Sequence, residues 1–84
     1  MSEQKMTTFV RGPEVKKLRI AAGITREQLR QQAECSYAHL RFCERGEREM
    51  SDELYHKLHL SLHELVRERE QAFEQARKEL AEVS

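Results

Sequence analysis

The chain predicts an all-α protein: one compact domain of five helices, the last of them extended. Three observations lead there. Apolar residues recur at the three- and four-residue spacing of a helix face. Ser or Thr stands ahead of several of these periodic stretches, where a helix N-cap belongs. The single proline and three glycines fall near helix ends and leave little material for hairpins.

Residues 1–11 are polar, with only Phe9 and Val10 to bury, and read as a loose arm in which Lys5 and Arg11 could reach a phosphate. Gly12-Pro13-Glu14 opens the first helix, since proline loses nothing in a first turn and Glu14 suits the positive helix end. Val15, Leu18 and Ala22 form its buried stripe, and Gly23 stops it. Thr25-x-x-Gln28 is a capping box for a second helix that buries Leu29 and Ala33. Ser36 caps a third helix, which buries Leu40 and Cys43 and ends at Gly46. Ser51 caps a fourth, with Leu54, Tyr55, Leu58 and Leu62 facing inward. Ser61-x-x-Glu64 reads as another capping box, opening a fifth helix to about residue 82 with no glycine or proline to end it. Along that tail Leu62, Val66, Arg69, Phe73, Ala76, Leu80 and Val83 recur at alternating steps of 4 and 3, a heptad seam interrupted by Arg69.

Eighty-four residues make one small core, without room for a sizeable enclosed active site. Two cysteines and no long apolar run predict a reduced, soluble, cytoplasmic protein with no membrane segment. Net charge is zero, which by itself speaks against a nucleic-acid partner. Its distribution does not: residues 1–48 carry 10 Lys/Arg against 6 Asp/Glu, and residues 49–84 carry 5 against 9. A basic half is thus joined to an acidic half.

The second and third helices carry the chemistry. With Leu40 and Cys43 inward, Tyr37, Ala38, Arg41, Phe42 and Arg45 point outward and His39 lies at the edge. No acid joins them, because Glu44 turns toward the core. Such a face tolerates a phosphate-lined groove. Arg41 could pair with a guanine edge, and Phe42 or Ala38 could meet a thymine methyl. Tyr37, Arg45 and Arg26 suit backbone phosphates, and a solvated basic face or a protein-docking face is the bland alternative.

The run Leu18-Arg19, Ala22 through Leu29, Cys35-Ser36, Leu40 and Glu44-Arg45-Gly46 resembles the helix-turn-helix of the Cro/phage-repressor (Xre-type) family, without gaps over residues 14–62. The resemblance implies a phage-repressor-like domain whose third helix enters the major groove of double-stranded DNA. It places Thr25, Arg26, Ser36, Tyr37, Ala38, His39, Arg41, Phe42 and Arg45 at the DNA, and implies a structural ion pair between Arg19 and Glu44. Three positions depart from the family's pattern. Arg30 replaces a small residue where the two helices cross, Glu34 stands where the turn favours glycine, and Met50 replaces a common proline.

Other constellations are weak. Cys35, His39 and Cys43 recur every four residues but match no usual zinc spacing, and His56, His59 and His63 lack a further ligand. No catalytic set, cofactor motif, metal site or small-molecule ligand is legible. The seam Leu62, Val66, Arg69, Phe73, Ala76 and Leu80 can pair with a second copy or fold back on the domain. Three heptads weakened by Arg69 and Ala76 are marginal alone, so the helix is expected to bury against both its own domain and a twin. Two recognition helices are needed to meet half-sites about 10 base pairs apart, so a homodimer is expected. The expected organisation is an arm at 1–11, a DNA-binding domain at 12–62 and a dimerisation helix at 63–84. The expected function is a sequence-specific, nucleoid-associated transcriptional repressor acting on an inverted repeat, of phage or plasmid type. An autoregulating antitoxin, a restriction–modification controller and a protein-interaction adaptor are the alternatives.

Overall fold

A computed structural model describes residues 9–83 and places four helices: α1 (Arg11–Ala21), α2 (Arg26–Ala33), α3 (Tyr37–Glu44) and α4 (Asp52–Val83). The all-α class holds, but the count of five does not. The segments expected as two helices are one continuous 32-residue helix, with Ser61 buried in its interior rather than capping an end. A Ser-x-x-Glu spacing marks an N-terminus only where the chain before it is not helical. Nothing between Asp52 and Val83 breaks a helix, for the segment holds neither glycine nor proline.

The helix starts follow local chemistry. α1 opens at Arg11, one residue before the Gly12-Pro13-Glu14 signal. Pro13 is therefore the third helical residue, still within the turn whose N–H groups have no partner. Thr25 forms the full capping box with Gln28, its hydroxyl accepting from Gln28 N at 3.0 Å while Gln28 Oε1 accepts from Thr25 N at 2.9 Å. Ser36 Oγ accepts from His39 N at 3.2 Å, and Ser51 Oγ from Leu54 N at 3.1 Å. Of the arm expected at 1–11, Lys5 lies outside the described residues. Arg11 instead begins a helix, donating to the Met50 carbonyl and the Asp52 carboxylate and lying over the Tyr55 ring.

α1, α2 and α3 end alike. Ile24 N bonds Arg19 O, Cys35 N bonds Arg30 O and Glu47 N bonds Phe42 O, each a six-to-one bond around a left-handed residue. Two of those residues are Gly23 (φ 72°) and Gly46 (φ 76°); the third is Glu34 (φ 57°). The glutamate adopts the glycine conformation, with its Cβ crowding the backbone. Glu34→Gly is therefore expected to stabilise the fold by about 1 kcal/mol, net of glycine's entropy in the unfolded chain. Urea unfolding checks it, and a midpoint that falls would show that the turn is unstrained. Arg30 causes no crowding at the crossing, because it bends along α2 to pair with Glu27 at 2.7 Å.

The core comprises Val15, Ile24, Leu29, Ala33, Leu40, Cys43, Met50, Leu58 and Leu62, with Leu54, Tyr55, Leu65 and Val66 packed against it. Leu18 is a correction. Expected on the buried stripe of α1, it is 43% exposed at the rim of a shallow cleft with Ala22, Leu62 and Val66. Gly12 has a tertiary role beyond its helix start. A Cβ there would lie 1.6 Å from the Cys43 carbonyl oxygen, so α1 and the end of α3 meet backbone to backbone.

Arg69 breaks the expected seam for a physical reason. Its Nη1 and Nη2 donate to the carbonyls of Ala22 and Gly23 at 2.6 and 3.0 Å, placing a cation on the carbonyl end of α1. Leu62 is buried and Val66 half-buried against the same domain. The first half of the heptad stripe thus folds back. From Glu70 to Val83 every residue of α4 is exposed, including Phe73 at 62%. No helix among the described residues is long and apolar enough to cross a membrane.

Candidate nucleic-acid interface

α3 is positioned by its only acid. The Glu44 side chain is fully buried and accepts three charge-assisted hydrogen bonds: from Arg19 Nε at 2.8 Å, Arg19 Nη2 at 2.9 Å and Arg26 Nε at 2.9 Å. Arg19 also donates from Nη1 to the Ile24 carbonyl at 3.0 Å. The expected Arg19–Glu44 pair is therefore present as a fork across two oxygens, the geometry that distinguishes arginine from lysine. Two guanidiniums share one carboxylate at the junction of α1, α2 and α3.

Arg26 has a second task that spacing did not reveal. Its Nη1 donates to the Tyr37 hydroxyl at 3.1 Å, so the first residue of α2 holds both the first and the last residue of α3. These bonds raise the guanidinium further above its usual range, the Tyr37 contact first and Glu44 second. Arg26 stays fully charged while it fixes the helix.

The outward face of α3 is as the spacing indicates except at Phe42, expected outward and found half-buried. Tyr37, Ala38 and Arg41 are exposed, Arg45 is exposed just beyond the helix end, and His39 and Phe42 are half-buried. Thr25 and Ser36 stand at the start of α2 and α3, their hydroxyl oxygens engaged as caps while each retains its O–H to donate. Arg45 pairs with Glu47 at 3.0 Å, an exposed contact that a phosphate can displace at little cost. Among the described residues, no carboxylate or hydrogen-bond partner engages the Arg41 guanidinium. The face therefore carries an uncompensated positive charge on a helix whose acid is buried.

Beside this face, Arg48 lies over the Phe42 ring, its guanidinium carbon 4.8 Å from the centroid. It had no helical register to mark it, because it falls in the turn after Gly46. Cys43 is buried and Cys35 half-buried, both unpaired, and burial pushes both thiols above their ordinary range. They remain protonated and unreactive at neutral pH. No group of three His, Cys, Asp or Glu among the described residues is arranged to hold a metal ion.

The expected dimer residues divide into two groups. Leu62, Val66 and Arg69 serve their own domain, whereas Phe73, Ala76 and Leu80 lie on the exposed length of α4. Comparison of the chain with protein-family models, with curated proteins and with solved structures finds no match.

Proposed function

We propose that this protein is a sequence-specific DNA-binding transcriptional regulator, a repressor that occupies an inverted-repeat operator as a homodimer. One observation carries the reading. The helix after the tight turn buries its only acid against Arg19 and Arg26, and presents Tyr37, Ala38 and Arg41 on a face to which α3 contributes no exposed carboxylate, with Arg45 just beyond its end. A phosphate-lined major groove accepts such a face. The resemblance to Xre-type regulators supports the same assignment. In this mechanism Arg41 reads a base edge, Arg45 and Tyr37 meet phosphates, and occupancy of the operator blocks polymerase.

Selection of bound sites from random duplex DNA tests the reading, since it returns half-site sequence and spacing together. Arg41→Ala is expected to cost about 1–3 kcal/mol and to relax preference at one base pair of each half-site. Unchanged preference would remove Arg41 from the readout. Failure of the native chain to bind any duplex at low salt would overturn the regulator reading and favour a protein-docking face.

For the homodimer, the exposed stretch from Glu70 to Val83 is the part of α4 left over once the domain's own packing is complete. About 14 residues of unsupported helix are marginal in water, so a second copy is the natural cover for Phe73. Phe73→Glu is expected to yield a monomer in sedimentation, with thermal stability unchanged beyond what dimerisation supplied. A variant that sediments as the native dimer would place the interface elsewhere.

A further inference from the structure

Arg48 is the second guanidinium beside α3 without a carboxylate partner among the described residues, and unlike Arg41 it is held in place. Two groups hold it. Its carbon sits 4.8 Å from the Phe42 ring centroid, a cation over the negative face of the ring. Its Nη1 lies 3.3 Å from His39 Nδ1. Arginine has donors only, so that contact requires His39 Nδ1 to be the unprotonated acceptor. The ring proton then belongs on Nε2, which lies 3.6 Å from the buried Cys43 sulfur, a soft acceptor. Cys43 thereby sets the orientation of the imidazole, and the imidazole sets Arg48.

We infer that Arg48 is a fixed phosphate contact of the DNA interface, with Phe42 and His39 acting as its positioning residues. The inference rests on the DNA-binding reading above and adds a residue and two roles to it. It also reassigns Phe42. A ring whose face lies under a guanidinium is a platform for that charge rather than a free apolar probe for a thymine methyl. Ordering an arginine side chain in advance lowers the entropy lost when it meets a phosphate. A flat guanidinium anchored on one edge still offers donors on the other, suited to two phosphate oxygens. Arg48 lies in the turn after α3 rather than on the helix itself, where a contact to the DNA backbone fits better than one to a base edge.

The test is DNA affinity as a function of salt, with the native chain's selected site and an unrelated duplex as probes. Arg48→Ala is expected to weaken both by roughly tenfold at low salt and to lower the salt slope by about one. Arg48→Lys keeps the slope but loses part of the affinity, because an ammonium lacks the planar fork. His39→Ala weakens binding several-fold in the native background and not at all in Arg48→Ala, the mark of a residue acting through another. Thermal melts of each variant close to that of the native chain show that the effects arise at the interface. If the native chain binds DNA and Arg48→Ala leaves slope and affinity unchanged, the Arg48 assignment is overturned while the regulator reading stands. If Arg48→Ala alters preference at one base pair only, the contact is to a base and the phosphate assignment falls. If His39→Ala is equally damaging with Arg48 already removed, His39 acts on its own and its positioning role is lost. Absence of DNA binding by the native chain removes the regulator reading and this inference with it.

Discussion

Gly12→Ala is expected to destabilise the protein by 3 kcal/mol or more, about the upper end of the range for overpacking. In an ordinary helix the same change gains about 0.5–1 kcal/mol, because alanine is the better helix former. The sign therefore decides between local propensity and tertiary fit. Here the added carbon would stand 1.6 Å from the Cys43 carbonyl oxygen and 2.2 Å from its carbon, with Glu44 N at 2.9 Å. All three are backbone atoms of α3, so no rotamer change relieves the overlap. α1 and α3 have to separate, and the Arg19–Glu44 fork that joins them opens as they do. Urea or thermal unfolding measures the loss. A variant as stable as the native chain would show that α1 and α3 do not approach this closely.

Glu44→Gln is expected to cost about 3–5 kcal/mol, the range for breaking a buried pair by removing one partner. The amide nearly matches the carboxylate in shape, so volume contributes little. What changes is the charge and one acceptor. Arg19, buried at 7% exposure, keeps its charge without a counterion, and one glutamine N–H group faces a guanidinium donor. Arg26 loses its anchor at the end of α3 and keeps only its bond to Tyr37 at the start. DNA affinity is expected to fall together with stability, since the angle of α3 is set by these bonds. Chemical unfolding and duplex titration on the same variant read both effects. A loss below about 1 kcal/mol would mean that the three short bonds only balance the desolvation they require.

The candidate site was largely legible before the structure, and residue by residue one sees why. Leu40 and Cys43 sit at helical spacing, so the opposite face of α3 follows from geometry alone. Glu34 stood out as a misfit only against the pattern of the family that the chain resembles, and its φ of 57° is the conformation that glycine would take most easily. Arg19 and Glu44 are 25 residues apart, and the resemblance rather than periodicity brought them together. Arg48 was missed because it follows Gly46, outside any repeating register. Arg26 was legible as a cation at a helix start, but not as the residue that ties both ends of α3.

The tail shows the limit most clearly. A heptad stripe gives spacing and says nothing of which partner covers each turn. Arg69 read as a flaw in an apolar seam, yet it places its guanidinium on the carbonyls of Ala22 and Gly23 and closes the fold-back half of α4. Likewise Ser61-x-x-Glu64 has the pattern of a cap and lies inside a continuous helix. The first depends on what surrounds Arg69 in space, the second on whether the chain before Ser61 is already helical.

By itself, then, the sequence determined what is local: the all-α class, the starts at Thr25, Ser36 and Ser51, the stops at Gly23 and Gly46, and the acid-free face of α3. Caps, breakers and helical periodicity act within a few residues, so they can be read along a line. Only the tertiary structure decided the close approach at Gly12, the hold of Arg26 on α3, the seating of Arg48 on Phe42 and His39, and the point at Arg69 where α4 leaves its own domain. Each of these depends on where distant groups meet, and the separation along the chain does not encode that distance in space.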